Sequence, residues 1–69
     1  MTDTNLLKSK IDEKGYKLKF IASELGLSYY GLKLKIDNLS QFKSGEIKKL
    51  CELLEIESLK EKESIFFKL

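Results

Sequence analysis

The chain has 69 residues, a net charge of +2, a single cysteine and no histidine. A chain this short buries only about 60% of its unfolded surface, so one domain over residues 1–69 is expected, with no second lobe to enclose a deep cleft. Cys51 alone, without any imidazole, excludes intramolecular disulfides, thiolate or imidazole zinc sites and Cys–His or Ser–His pairs, so no catalytic residue, metal or cofactor is predicted and the protein is not expected to be an enzyme.

Leucine, lysine and glutamate dominate, proline and valine are absent, and the pattern is helical throughout. The first predicted helix runs from Thr4 to Lys14, capped by Asp3 or Thr4, with Leu6, Leu7 and Ile11 as its apolar stripe and Gly15 as its stop. The second runs from Leu18 to Leu25, with Ile21, Ala22 and Leu25 on one side and Gly26 as a left-handed C-cap. The third runs from Tyr29 to Asp37 with Ser28 as N-cap, and the loop "NLSQFKS" follows. The fourth starts at Gly45 after Ser44 as cap and carries Ile47, Leu50, Cys51 and Leu54 at helical spacing, which places Cys51 in the core as a small hydrophobe. The fifth starts after Ser58, where Ser58 and Glu61 suit a capping box, and reaches Phe67.

Gly26-Leu27-Ser28 is the short glycine-containing turn that joins two helices at a corner. Ala22 is small where the helices approach, Gly26 accepts a positive φ, Leu27 plugs the corner and Ser28 caps the next helix. The stretch "LKFIASELGLSYYGLKLKI" resembles the helix-turn-helix of phage Cro and repressor proteins, the Cro/repressor-like (XRE) family. The resemblance rests on Ala22, Gly26 four residues later, Leu25 and Leu27 beside it, and Leu32. It extends through "DNLSQFKSGEI" and "IKKLCELLEI" to the whole chain. It implies an all-α, five-helix, lambda-repressor-like DNA-binding domain whose third helix lies in the major groove while the second crosses toward the backbone. Its expected partner is double-stranded DNA at a palindromic operator, bound by a homodimer, without a small-molecule substrate.

At about 100° per residue, Leu32 and Ile36 set the core direction of the third helix. Tyr29 then lies about 40° from that direction, Tyr30 about 140° and Leu34 about 180°, with Lys33 and Lys35 flanking at about 80°. Tyr29 is expected at the rim, its ring on the core and its hydroxyl at the surface, and it is counted among the candidate DNA-binding residues. Tyr30 is expected either to contact DNA or simply to face solvent. Leu34, the most outward position, is either a contact to a thymine methyl or an incidental exposed leucine. Gly31 is open to a close approach of DNA.

Lys17 and Lys19 flank the start of the second helix as candidate phosphate contacts, and Ser28 lies at the start of the third. The family more often has glutamine where Leu18 stands. After the third helix, Asn38, Ser40 and Lys43 are the expected phosphate clamp, and Lys33 completes the candidate set. The charge distribution agrees with such a face. Residues 14–49 hold eight lysines against three acids, a balance of +5, whereas residues 50–69 are net −2.

Leu59 and Phe66 share a face of the fifth helix that can close the core, leaving Ile65 and Phe67 as candidates for a dimer interface or as further core. Residues 65–69 are alternatively a β-strand. No apolar run approaches the roughly 20 residues of a membrane span, and the first residues lack the pattern of a signal peptide, so a cytoplasmic protein is expected. The leading expectation is a sequence-specific transcriptional regulator. The alternative is a protein-interaction module of the same fold, binding an antirepressor or a toxin–antitoxin partner.

Overall fold

The local stop and start signals close five helices in the computed structural model, which describes all of residues 1–69: α1 Thr4–Lys14, α2 Leu18–Leu25, α3 Tyr29–Ile36, α4 Ser44–Leu54 and α5 Leu59–Phe66. There is no strand. Residues 65–69 therefore finish α5 and bend away from it rather than forming the alternative β-strand.

Asp3 caps α1 by accepting from the Leu6 amide at 3.1 Å, and Gly15 ends it in the left-handed region. Gly26 ends α2 at φ 71°, with its own amide donating to Ser23 and the Leu27 amide to Ala22. These paired bonds form a Schellman motif, which satisfies carbonyls that the last turn would otherwise leave open. Ser28 caps α3, its Oγ accepting from the Gly31 amide at 2.9 Å.

Three boundaries differ from expectation, and the last of them is that of α5, which ends at Phe66 with Phe67 as its C-cap. Helix α3 stops at Ile36, because Asn38 adopts φ 64° and the Asn38 and Leu39 amides turn back to the carbonyls of Lys35 and Leu34. Asparagine tolerates this conformation better than other non-glycine residues. Helix α4 starts at Ser44 rather than after it, because the Glu46 carboxylate reaches back to accept from the Lys43 amide at 2.8 Å. At α5 the expected box is half made. Ser58 Oγ accepts from the Glu61 amide at 3.3 Å, but the Glu61 carboxylate turns to Lys10, 2.8 Å away.

The core joins all five helices: Leu7 and Ile11 from α1, Ile21 and Ala22 from α2, Leu32 and Ile36 from α3, Leu50, Cys51 and Leu54 from α4, Ile65 and Phe66 from α5. Ile56, between α4 and α5, completes it. Full burial of such an aliphatic side chain contributes about 1.5–3 kcal/mol. Phe42, from the loop before α4, meets Phe66 edge-on at 5.9 Å. Leu59, expected to close the core with Phe66, is instead 71% exposed, and Ile56 supplies the apolar side chain at that junction. Ile65, a candidate for a dimer surface, is 1% exposed and is used by the domain's own core.

The ends of the chain are tied to one another. The Asp3 amide donates to the Ile65 carbonyl at 2.6 Å and the Lys68 amide to the Met1 carbonyl at 2.9 Å. No helix is long and apolar enough to cross a membrane.

Candidate nucleic-acid interface

The outer side of α2 and α3, with the loop that follows, carries most of the candidate residues. Lys17 and Lys19 are exposed at the start of α2, and between them Leu18 packs against the core. That packing gives Leu18 a structural role where the resembled family often carries glutamine. Ser28 uses an oxygen lone pair as the α3 cap and keeps its hydroxyl proton available to an outside acceptor.

Along α3 the tyrosines separate. Tyr29 is 44% exposed, with the Lys33 ammonium 5.7 Å from its ring centroid, and Tyr30 is 71% exposed. Leu34 is not the most outward residue. It is half-buried, because the chain folds back beside it and the Leu39 and Ser40 amides both donate to its carbonyl. Lys35, expected to flank the core, is buried in an ion pair with Glu46 at 2.6 Å. Adding Lys35 to Leu32 and Ile36 turns the buried arc by about 30° and makes Tyr30 the residue most nearly opposite it.

Gly31 has a local reason for being small. A Cβ there would lie 3.0 Å from Ser28 Oγ, crowding the hydroxyl that caps the helix.

Asn38, a candidate for the phosphate clamp, has its side chain engaged within the fold. Its side-chain oxygen accepts from the Thr2 amide at 2.9 Å and its nitrogen donates to the Thr2 carbonyl at 2.7 Å. Beside it, the Thr4 hydroxyl donates to the Ile36 carbonyl at 2.6 Å. Asn38 therefore pins the N-terminus to the end of α3. Ser40 and Lys43 remain exposed, with no side-chain hydrogen bond.

The ion pairs divide the lysines into two sets. Lys8, Lys10, Lys14, Lys35 and Lys68 are paired with Asp37, Glu61, Glu55, Glu46 and Asp3 respectively. Lys17, Lys19, Lys33 and Lys43 have no carboxylate within ion-pair distance, and all four belong to α2, α3 or the loop. Lys48, Lys49, Lys60 and Lys62 are also free, on α4 and α5. Hydrogen bonds to Glu61 and Glu55 hold the Lys10 and Lys14 ammonium groups above the usual lysine range, so both stay charged and committed to their partners.

Two exposed aromatics were not in the predicted set. Tyr16 and Phe20 are 37% and 45% exposed, with ring centroids 5.2 Å apart, next to Lys17 and Lys19. Their four-residue spacing, off the Ile21–Ala22–Leu25 stripe, was the available sequence signal.

No group of three or more acidic or cysteine side chains is arranged to hold a metal. Burial pushes the Cys51 thiol up, which keeps it protonated at neutral pH and chemically quiet. An open groove of about 690 Å³ lies between α4 and α5, lined by Ile47, Cys51, Ile56 and Phe67, with Glu52, Glu55 and Glu57 at its edge. Lys48 and Lys62 also line it, and it shares no residue with the α2–α3 face. A scan of protein-family models and searches of curated proteins and solved structures returned no match to the chain.

Proposed function

We propose that the protein is a sequence-specific DNA-binding transcriptional regulator of the helix-turn-helix kind, acting in the cytoplasm, with α3 in the major groove. The observation that carries this is the α2–turn–α3 corner, whose outer side combines exposed, unpaired lysines with an outward tyrosine. Lys17, Lys19, Lys33 and Lys43, all unpaired, lie on or next to α2, α3 and the loop that follows, together with Tyr30, which is 71% exposed; four further unpaired lysines lie on α4 and α5, and the paired ones lie elsewhere or in the core. Free cations around a protruding reading residue suit a phosphate-lined groove, where phosphate contacts position the protein and base contacts specify the sequence.

In this arrangement Lys17 and Lys19 meet one backbone strand from the start of α2, and Ser40 and Lys43 meet the other side from the loop. Tyr30 and Lys33 face the base edges. A single half-site of this size supports limited discrimination, so a dimer on a palindrome with half-sites about 34 Å apart is expected. Phe67, 58% exposed at the end of α5, is the apolar side chain available for that contact.

Selection of bound duplexes from a randomised pool tests the proposal. A palindromic consensus supports it, and absence of affinity for any duplex at low salt overturns it. Three lysine–phosphate contacts per monomer predict a log–log salt slope of about −3, about doubled for the dimer.

A second reading is a protein-interaction module of the same fold. The exposed Leu39, Leu59 and Phe67 favour it. Capture of a stoichiometric protein partner in the absence of DNA, together with no duplex binding, would establish it over the first.

A further inference from the structure

Lys35 stands between Leu32 and Ile36 on the buried side of α3, a place where an apolar residue would close the core as well. Its ammonium meets Glu46 Oε1 at 2.6 Å, and the two side chains are 10% and 13% exposed. A buried ion pair loses hydration on both groups, and replacing it by hydrophobic residues is often neutral or stabilising. Stability alone is therefore a weak reason for it. What an ion pair adds is direction.

The same Glu46 oxygen also accepts from the Lys43 amide at 2.8 Å. One atom thus binds a side chain of α3 and the backbone at the far end of the loop that carries Ser40 and Lys43. The near end of that loop is fixed as well, by the Asn38, Leu39 and Ser40 amides on the last carbonyls of α3. The loop and α3 are held as one body, closed at both ends. The rotation of α3 about its axis, which decides how Tyr30 and Lys33 present themselves, is set against Lys43.

Resting on the DNA-binding reading, we propose that Lys35 and Glu46 are positioning residues for sequence discrimination, locking the base-reading side of α3 in register with the phosphate-contacting loop. Neither touches DNA. Their loss blurs which sequence is preferred while leaving general attraction to a duplex in place.

The test compares the wild type with Lys35→Met, Glu46→Gln and the double variant. Glutamine keeps an oxygen for the Lys43 amide, and the double variant keeps the wild-type net charge while leaving no buried charge without a partner. Two affinities are measured for each, one for the best duplex from the selected pool and one for poly(dI-dC), together with the melting temperature. The expected result is a specificity ratio narrowed by about tenfold, the scale of one lost base contact, with affinity for poly(dI-dC) in the double variant unchanged. The double variant is expected to recover melting temperature over the single variants without recovering the ratio. If the ratio returns to the wild-type value together with melting temperature, or never changes, the pair is structural only and the proposal fails. If the wild type binds neither duplex, the DNA-binding reading fails and this proposal falls with it.

Discussion

The two ends of α3 are built on different principles. At its start, the corner Gly26-Leu27-Ser28 is completed by neighbours in the chain: Gly26 turns back onto Ser23, Leu27 onto Ala22, and Ser28 accepts from Gly31. At its end, the turn at Asn38 is held by groups far away in sequence. Thr2 binds the Asn38 side chain across 36 residues, and Glu46 binds Lys35 across eleven. A local corner needs only the right residue types in order. A remote one needs the rest of the fold to be in place first, so its strength reports on tertiary structure and not on propensity.

The largest expected effect tests what both ends share. Leu32 is fully buried in the centre of α3, and Leu32→Ala is expected to cost about 2–5 kcal/mol, read as a lowered urea midpoint. It should loosen the two ends together.

The remote end comes next. Asn38→Ala loses both the tolerance for a left-handed backbone, about 1–2 kcal/mol, and side-chain hydrogen bonds worth about 1 kcal/mol each. Asn38→Gly restores only the first. Thermal melts of the two variants should therefore differ from each other, and both should lie below the wild type. Equal stability of Asn38→Gly and wild type would show that the Thr2 contacts contribute nothing.

The local end should respond more simply. A Cβ at Gly26 meets no atom within 4 Å, so Gly26→Ala is expected to cost only the left-handed backbone strain, about 1–2 kcal/mol. A larger loss by denaturant titration would mean that the corner depends on packing after all.

A pH-dependent difference sharpens the contrast further. Burial pushes the Glu46 carboxyl up, but the Lys35 hydrogen bond, the Lys43 amide and the charges of both lysines outweigh it and leave the group below its ordinary value of 4.5. A carboxyl depressed in the folded state contributes stability that is present above its unfolded value and lost as pH falls through the folded one. The melting temperature of the wild type should therefore fall more steeply than that of the Lys35→Met/Glu46→Gln double variant below about pH 4.5. Parallel curves would remove the pair from the acid response.

Gly31→Ala should be the mildest change. Alanine gains about 1 kcal/mol of helix propensity, and its Cβ crowds the Ser28 cap at 3.0 Å, so the two effects offset. A melting temperature raised by the full propensity gain would show that the cap hydroxyl moves aside freely.

The chain by itself determined what depends on short-range chemistry. Thr4–Lys14 and Leu18–Leu25 were legible to the residue, because their stops are glycines whose φ no other residue adopts as easily. The Ser28 cap and the Ile21, Leu32, Ile36 and Leu50 core followed from spacing in the same way. At the candidate interface, Tyr30 and Lys33 follow from the helical wheel of α3, and Lys17, Lys19, Ser40 and Lys43 from their place at the ends of the helices; each is exposed in the structure. Tertiary structure alone decided which polar groups are already engaged. Asn38, Lys35 and Glu46 look like surface residues in sequence, and their partners come from other elements. Leu34 is outward on the helical wheel and Ile65 is left open between core and dimer interface for the same reason: a helical wheel knows the periodicity of one helix but not what packs against it. Hydrogen bonds between helices and burial by neighbouring segments are set by long-range geometry, and the order of residues along one helix does not carry it.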